Sequence, residues 1–200
     1  MKGIERESIH RGPEGGRNIE RYEQELDRDF NNLQGKRVLE IGSGSELRFA
    51  NGLKAKGIEV EVISLSPAFA DVAERERALA HGAGTILAGE AEHLPLPDTS
   101  VDAVISLHVA EHLTEEKFLA LIRETVRVMR VGASADIAPV YDMEFYPNHI
   151  IPDLQEQLGN AAKVTWRRPR SPFDSQRLPD DTGYKQETDV YILTIEKLIQ

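Results

Sequence analysis

The sequence predicts an α/β fold, a doubly wound sheet with helices on both faces, from three observations. Strand-like apolar runs alternate with helical patterns from residue 37 to residue 140, the order of βαβ units with right-handed crossovers. The run Glu59–Leu65 reads V-x-V-I-x-L, mostly apolar, as a strand covered on both faces must be. The run Arg37–Ile41 passes straight into Gly42-Ser43-Gly44. Glycines there let a Rossmann-like sheet turn tightly and leave no Cβ facing a ligand at the strand's carboxyl edge. A plain tight turn needs glycine too, and Leu47 stands where a dinucleotide fingerprint would have its third glycine. Glu40 adds chemistry: a carboxylate inside the turn suits a ligand carrying an ammonium group and repels a pyrophosphate.

The elements follow in order. Residues 1–17 are polar, with breakers from Gly12 to Gly16, and read as a mobile arm ahead of a single domain over 18–200. Ile19, Tyr22, Leu26, Phe30 and Leu33 recur at helical spacing, with Asn18 as the cap. The first strand, Arg37–Ile41, leads to a helix from about Glu46 to Lys56 that stops at Gly57. After the second strand, Ser66-Pro67 opens a helix to about Ala80. Thr85–Leu87 is a short strand, 94–98 a loop, Val101–Leu107 a strand and Thr114–Arg130 an amphipathic helix. Ala133–Val140 is a strand, Ile150–Leu158 a helix, Lys163–Arg167 and Asp189–Leu198 strands. The polar stretch 168–188 between the last two reads as an exposed hairpin loop.

Composition excludes several classes. Two hundred residues, 40% apolar, suffice for one domain with a full core. A net charge of −10 and a pI of about 5.1 argue against nucleic acid as a partner. With no cysteine there are no disulfides, thiolate zinc sites or cysteine nucleophiles. No apolar run reaches membrane-span length and the first residues lack a signal-peptide core, so the expected compartment is the cytoplasm. The sequence does not fix an oligomeric state.

Three segments bring a resemblance. They are Glu40-Ile41-Gly42-Ser43-Gly44, Ser64-Leu65-Ser66-Pro67, and Gly89-Glu90-Ala91-Glu92-His93-Leu94-Pro95-Leu96-Pro97-Asp98-Thr99-Ser100-Val101-Asp102 followed by His108-Val109-Ala110-Glu111-His112-Leu113. Residues 38–113 resemble the class I S-adenosylmethionine-dependent methyltransferases, particularly the small-molecule, quinone-methyltransferase-like branch. The resemblance implies seven strands, mostly parallel with the last antiparallel, and S-adenosylmethionine as cofactor. It implies that Gly42, Ser43 and Gly44 lie against the cofactor with Glu40 near its amino group. Ser64 and Leu65 would stand at the ribose, Glu90 and Ala91 at the adenine, and Leu107 and His108 beside the methyl donor. Two positions depart from the family. Ser64 stands where a ribose-binding acid is usual, and Glu46 where a third glycine is.

His108, at a strand's carboxyl end, is the candidate catalytic base for a substrate hydroxyl. His108 to His112 also spells H-x-x-E-H, a zinc peptidase pattern, but the resemblance accounts for Glu111-His112 without metal, so none is expected. His112 reads as a helix-start histidine bonded to backbone. Tyr141, Asp142, Glu144, Tyr146, Asn148 and His149 form either a substrate-pocket wall or a polar loop. The Tyr22 helix either closes the site or packs on the sheet. Arg167, Arg168 and Arg170 either hold an anion or form a solvated loop. The expected function is methyl transfer to a small molecule, at oxygen. The alternatives are a non-catalytic methyltransferase-like binding or assembly module, for which Ser64 and Glu46 speak, and an enzyme that reuses the fold for another reaction.

Overall fold

The computed structural model describes residues 18–82, 84–141, 150–170 and 190–199. Its strands are β1 (Arg37–Ile41), β2 (Glu61–Ser66), β3 (Thr85–Ala88), β4 (Val101–Leu107), β5 (Met129–Tyr141), β6 (Ala162–Arg167) and β7 (Val190–Lys197). Its α-helices are α1 (Ile19–Glu25), α2 (Arg48–Ala55), α3 (Val72–His81), α4 (Glu115–Val128) and α5 (Ile150–Leu158). The strands form one sheet in the order β3-β2-β1-β4-β5-β7-β6. β1 to β5 pair in parallel, and β7 runs antiparallel to both β5 and β6. This is the expected doubly wound sheet of seven strands with its last strand reversed. Connections leave β1 and β4 in opposite directions, so their carboxyl ends flank the topological switch point, where α/β sheets open a ligand crevice.

Two apolar clusters cover the two faces. α1, α2 and α3 pack on one side and α4 and α5 on the other. β1 shows the alternation: Val38 joins the α1 side, Leu39 and Ile41 the α4 side. On α4, Phe118, Leu121 and Ile122 are fully buried, each contributing roughly 1.5–3 kcal/mol. Thr114 caps the helix by accepting from the Lys117 N–H.

The elements differ from the sequence reading mainly at helix ends. Asn18 caps α1 as expected, but the helix stops at Glu25 and Asp27 takes a left-handed φ of 46°. Phe30 and Leu33 then reach the core from a separate 3-10 turn, Asn31–Leu33, so all five expected apolar residues are buried in two pieces. The expected helix over 66–80 also divides. Ser66 caps a 3-10 turn, Pro67–Ala70, and the Asp71 carboxylate accepts from Ala73 and Glu74 to start α3 afresh. α2 starts two residues later than expected because Leu47 is left-handed, at the position where the fingerprint would place glycine. Burial of the Leu47 side chain offsets that backbone cost. The helix over 114–130 ends at Val128 and β5 starts at Met129, earlier than 133.

The expected arm (1–17) and most of the expected hairpin loop (171–188) lie outside the described residues. So do Asp142, Glu144, Tyr146, Asn148 and His149. Among the described residues no helix is long and apolar enough to cross a membrane.

Candidate functional site

Parallel strands pointing the same way bring the expected site residues to one edge of the sheet. Gly42, Ser43 and Gly44 follow β1, Ser64 and Leu65 lie at the end of β2, Glu90 and Ala91 follow β3, and Leu107 and His108 stand at the end of β4.

The glycine turn is tied down from below and open above. The N–H groups of Gly42 and Ser43 both donate to the Leu65 carbonyl, at 2.8 and 3.3 Å. Gly42 has φ +82°, and a Cβ there would come within 2.2 Å of Val109 Cγ2. Gly44 has φ +63°, and a Cβ there would meet nothing within 4 Å, so space lies in front of it. Ser43 between them is buried, and its hydroxyl has no partner among the described residues. Leu65 and Leu107 bury their side chains in the core, Ala91 is also buried, and Glu90 is exposed.

Beneath the turn, Glu40 is 1% exposed. Tyr22 Oη donates to Oε1 at 2.8 Å and Ser64 Oγ donates to Oε2 at 3.2 Å. Burial pushes its carboxyl up to about 7, against the lowering effect of the two hydroxyls. Ser64 thus directs its hydroxyl proton to Glu40 and is itself 1% exposed. A carboxylate at 64 would stand against Glu40, where two acids cannot both ionise.

His108 occupies the β4 side of the crevice in a left-handed conformation, φ +60°, which costs on the order of 1–3 kcal/mol for a non-glycine residue. Its backbone N–H donates to Ala138 at 2.6 Å. The ring lies between two carboxylates: Nδ1 is 3.1 Å from Glu111 Oε1 and Nε2 is 3.1 Å from Glu25 Oε2. Glu25 is buried on α1 and also accepts from Arg21 Nε at 2.6 Å. Burial pushes the Glu25 carboxyl up, but the hydrogen bonds from His108 and Arg21 outweigh it and hold it below the usual carboxylate range. Carboxylates only accept, so the ring satisfies both when both nitrogens carry protons. His108, the candidate base of the sequence reading, thus has each of its ring nitrogens facing a carboxylate.

The H-x-x-E-H segment is not on an α-helix. Ala110–His112 forms a three-residue 3-10 turn, and His112 is 70% exposed with Nε2 3.6 Å from Glu111. The three arginines all have partners within the fold, with Arg167 partly buried and Arg168 and Arg170 exposed. Arg167 donates to the Leu26 carbonyl and lies 3.5 Å from both Asp27 and Asp136. Arg170 pairs with Asp27 at 3.1 Å, and Arg168 stacks over Tyr191 at 5.8 Å.

Two residues escaped sequence reasoning, Glu25 and Val109. Glu25 lies three residues after Tyr22, a charge beside the apolar stripe of α1, and that misplaced charge was the available signal. Tyr22, read as either lid or packing, packs in the core on the α1 side of the sheet. Its ring lies 5.1 Å from the Phe49 ring while its hydroxyl reaches Glu40.

Comparison with known proteins gives a consistent result. Residues 39–135 match the family model described as a methyltransferase domain. Ajmaline N-methyltransferase of Rauvolfia serpentina is 29% identical over 153 residues, 72% of this chain and 51% of that protein. The chain thus spans about half the length of that relative. Among solved structures, a TehB-like methyltransferase from Corynebacterium glutamicum superposes with a TM-score of 0.59 at 15% identity, over 82% of this chain and 81% of the other. A methyltransferase from Methanosarcina mazei gives 0.60 at 14% identity, over 86% and 97%. At these identities the structural likeness speaks for the fold.

Proposed function

We propose that this chain, which belongs to the class I S-adenosylmethionine-dependent methyltransferase family, transfers the cofactor's methyl group to an oxygen of a small molecule in the cytoplasm. One observation carries the reading: a buried carboxylate, Glu40, held by hydroxyls and by no cation among its described partners, beneath an open Gly-x-Gly turn.

The residues present fit the cofactor. Its ammonium group is the cation that a buried carboxylate lacks, and such a pairing is a strong charge-assisted hydrogen bond. The unpartnered Ser43 hydroxyl and the space before Gly44 leave room and a hydrogen-bonding group on the turn. Glu90, exposed after β3, has acceptor oxygens for the adenosine, with Ala91 as its apolar neighbour. When bound, the cofactor supplies a methyl group on a positive sulfur, already activated for transfer. The protein's part is to align the acceptor with it, gaining rate by proximity and orientation. His108 stands where the acceptor meets the donor: in its neutral form, with one N–H kept on Glu111 and the other proton given up to solvent, it takes the acceptor's proton at Nε2 once Glu25 gives way.

Calorimetric titration with S-adenosylmethionine and with its demethylated product tests this. Heat that saturates with one ligand per chain is expected for both. Absence of heat at millimolar ligand would overturn the proposal. The non-catalytic reading would then stand, favoured by the single observation that the Ser64 hydroxyl is turned to Glu40 and the ribose carboxylate is missing.

A further inference from the structure

His108 is gripped from two different elements, one of them far away in sequence. Glu111 lies three residues on, in the turn that follows β4. Glu25 comes from α1, 83 residues earlier, and is buried. The backbone of His108 is held left-handed and pinned by Ala138, so the ring has little freedom to seek another position. Glu25 is itself fixed from behind by Arg21. The same helix sends Tyr22 to Glu40 on the other side of the switch point, so α1 spans the crevice and touches both of its walls.

We propose that Glu25 is a positioning residue for His108: α1 carries its carboxylate against Nε2, orients the ring together with Glu111, and sets the pH at which that nitrogen can accept a proton. This rests on the reading of His108 as the group facing the acceptor. The charged and titratable groups against the ring, among the described residues, are Glu25, backed by Arg21, on α1 and Glu111, beside His112, on the 3-10 turn. The two in direct contact are both carboxylates, and both favour the protonated ring. In the free protein Glu25 covers Nε2. An acceptor reaches that nitrogen only by displacing Glu25, and the displaced carboxylate then remains beside the ring as its charge partner.

The test is an NMR titration of the His108 ring in the full chain, without cofactor or acceptor, the resonance assigned by its loss in His108→Gln. Glu25→Gln keeps the shape of the side chain and removes its charge, and should lower the proton affinity of the ring about tenfold to a thousandfold. Glu25→Asp should restore part of it. An unmoved midpoint in a folded Glu25→Gln variant overturns the assignment. Because no methyl transfer is measured, a failed cofactor titration would leave this result standing, and the two ideas fail separately.

Discussion

Glu40 and Asp136 lie in one row of the sheet, with Ile105 of β4 between them, and both are buried. Their partners are of opposite kinds. Asp136 is paired with Arg28, lies 3.5 Å from Arg167, and accepts from Thr194 at 2.7 Å. Glu40 has two hydroxyls. One buried acid is neutralised by the protein's own cations and ties the turn after α1 to β5 and β7. The other is left with neutral donors under the glycine turn, and its carboxyl rises to about 7. Under the proposed function, the end of the row that has hydroxyls in place of arginines is the one that takes its cation from the ligand.

The difference can be broken at either end. The largest effect is expected from Arg28→Ala, which leaves Asp136 with Arg167 at 3.5 Å as its remaining described cation and should cost about 3–5 kcal/mol in denaturant unfolding while cofactor affinity stays the same. A loss below about 1 kcal/mol would show that Asp136 does not depend on its cation. Next comes pH. The folded carboxyl of Glu40 sits near 7, above its ordinary value of 4.5. The folded state therefore binds the proton more tightly, and stability falls as pH rises through that window, with the contribution gone above it. The span corresponds to about 3 kcal/mol, read as the difference between wild type and Glu40→Gln in unfolding free energy at pH 5 and pH 8. Parallel profiles for the two proteins would remove Glu40 as the cause.

Binding gives the third effect. Glu40→Gln should weaken S-adenosylmethionine binding by roughly 1.5–3 kcal/mol, the range for a hydrogen bond to a charged group, or about ten- to a hundredfold in calorimetry. The wild-type affinity should rise with pH through about 7 as the carboxylate ionises, and the variant's should not. The smallest effect is expected from Ser64→Ala, about 1 kcal/mol of stability for one lost hydroxyl donor. If Ser64→Ala instead lowers cofactor affinity as much as Glu40→Gln does, the serine faces the ribose after all.

The sheet was legible because its signals are local. β1 and β4 have the bounds that alternation of apolar runs predicts, and Gly57 ends α2 as a glycine should. The helix ends were not legible to the same degree. α1 stops where Arg28 and Arg167 fasten the chain to β5 and β6, contacts more than a hundred residues distant. The site divides the same way. The glycine turn and the carboxyl ends of β2 and β4 follow from motifs along the chain. The Glu25–His108 contact joins residues 83 positions apart, and no spacing rule encodes it. Ser64 showed only that an acid was missing. That its hydroxyl serves Glu40 is a fact of register, since the two residues pair across β1 and β2.

The strand order also constrains how the chain is made. β7 lies between β5 and β6 and is, among the described strands, the one neighbour of β6 in the sheet. Synthesis proceeds from the amino end, so β1 to β5 can assemble while β5 still shows a bare edge and β6 has nothing to pair with. Residues 190–197 act as a keystone: their arrival satisfies two open edges at once and adds Thr194 to Asp136. A ribosome that stalls before that point leaves exposed strand edges, the feature that chaperones and aggregation compete for.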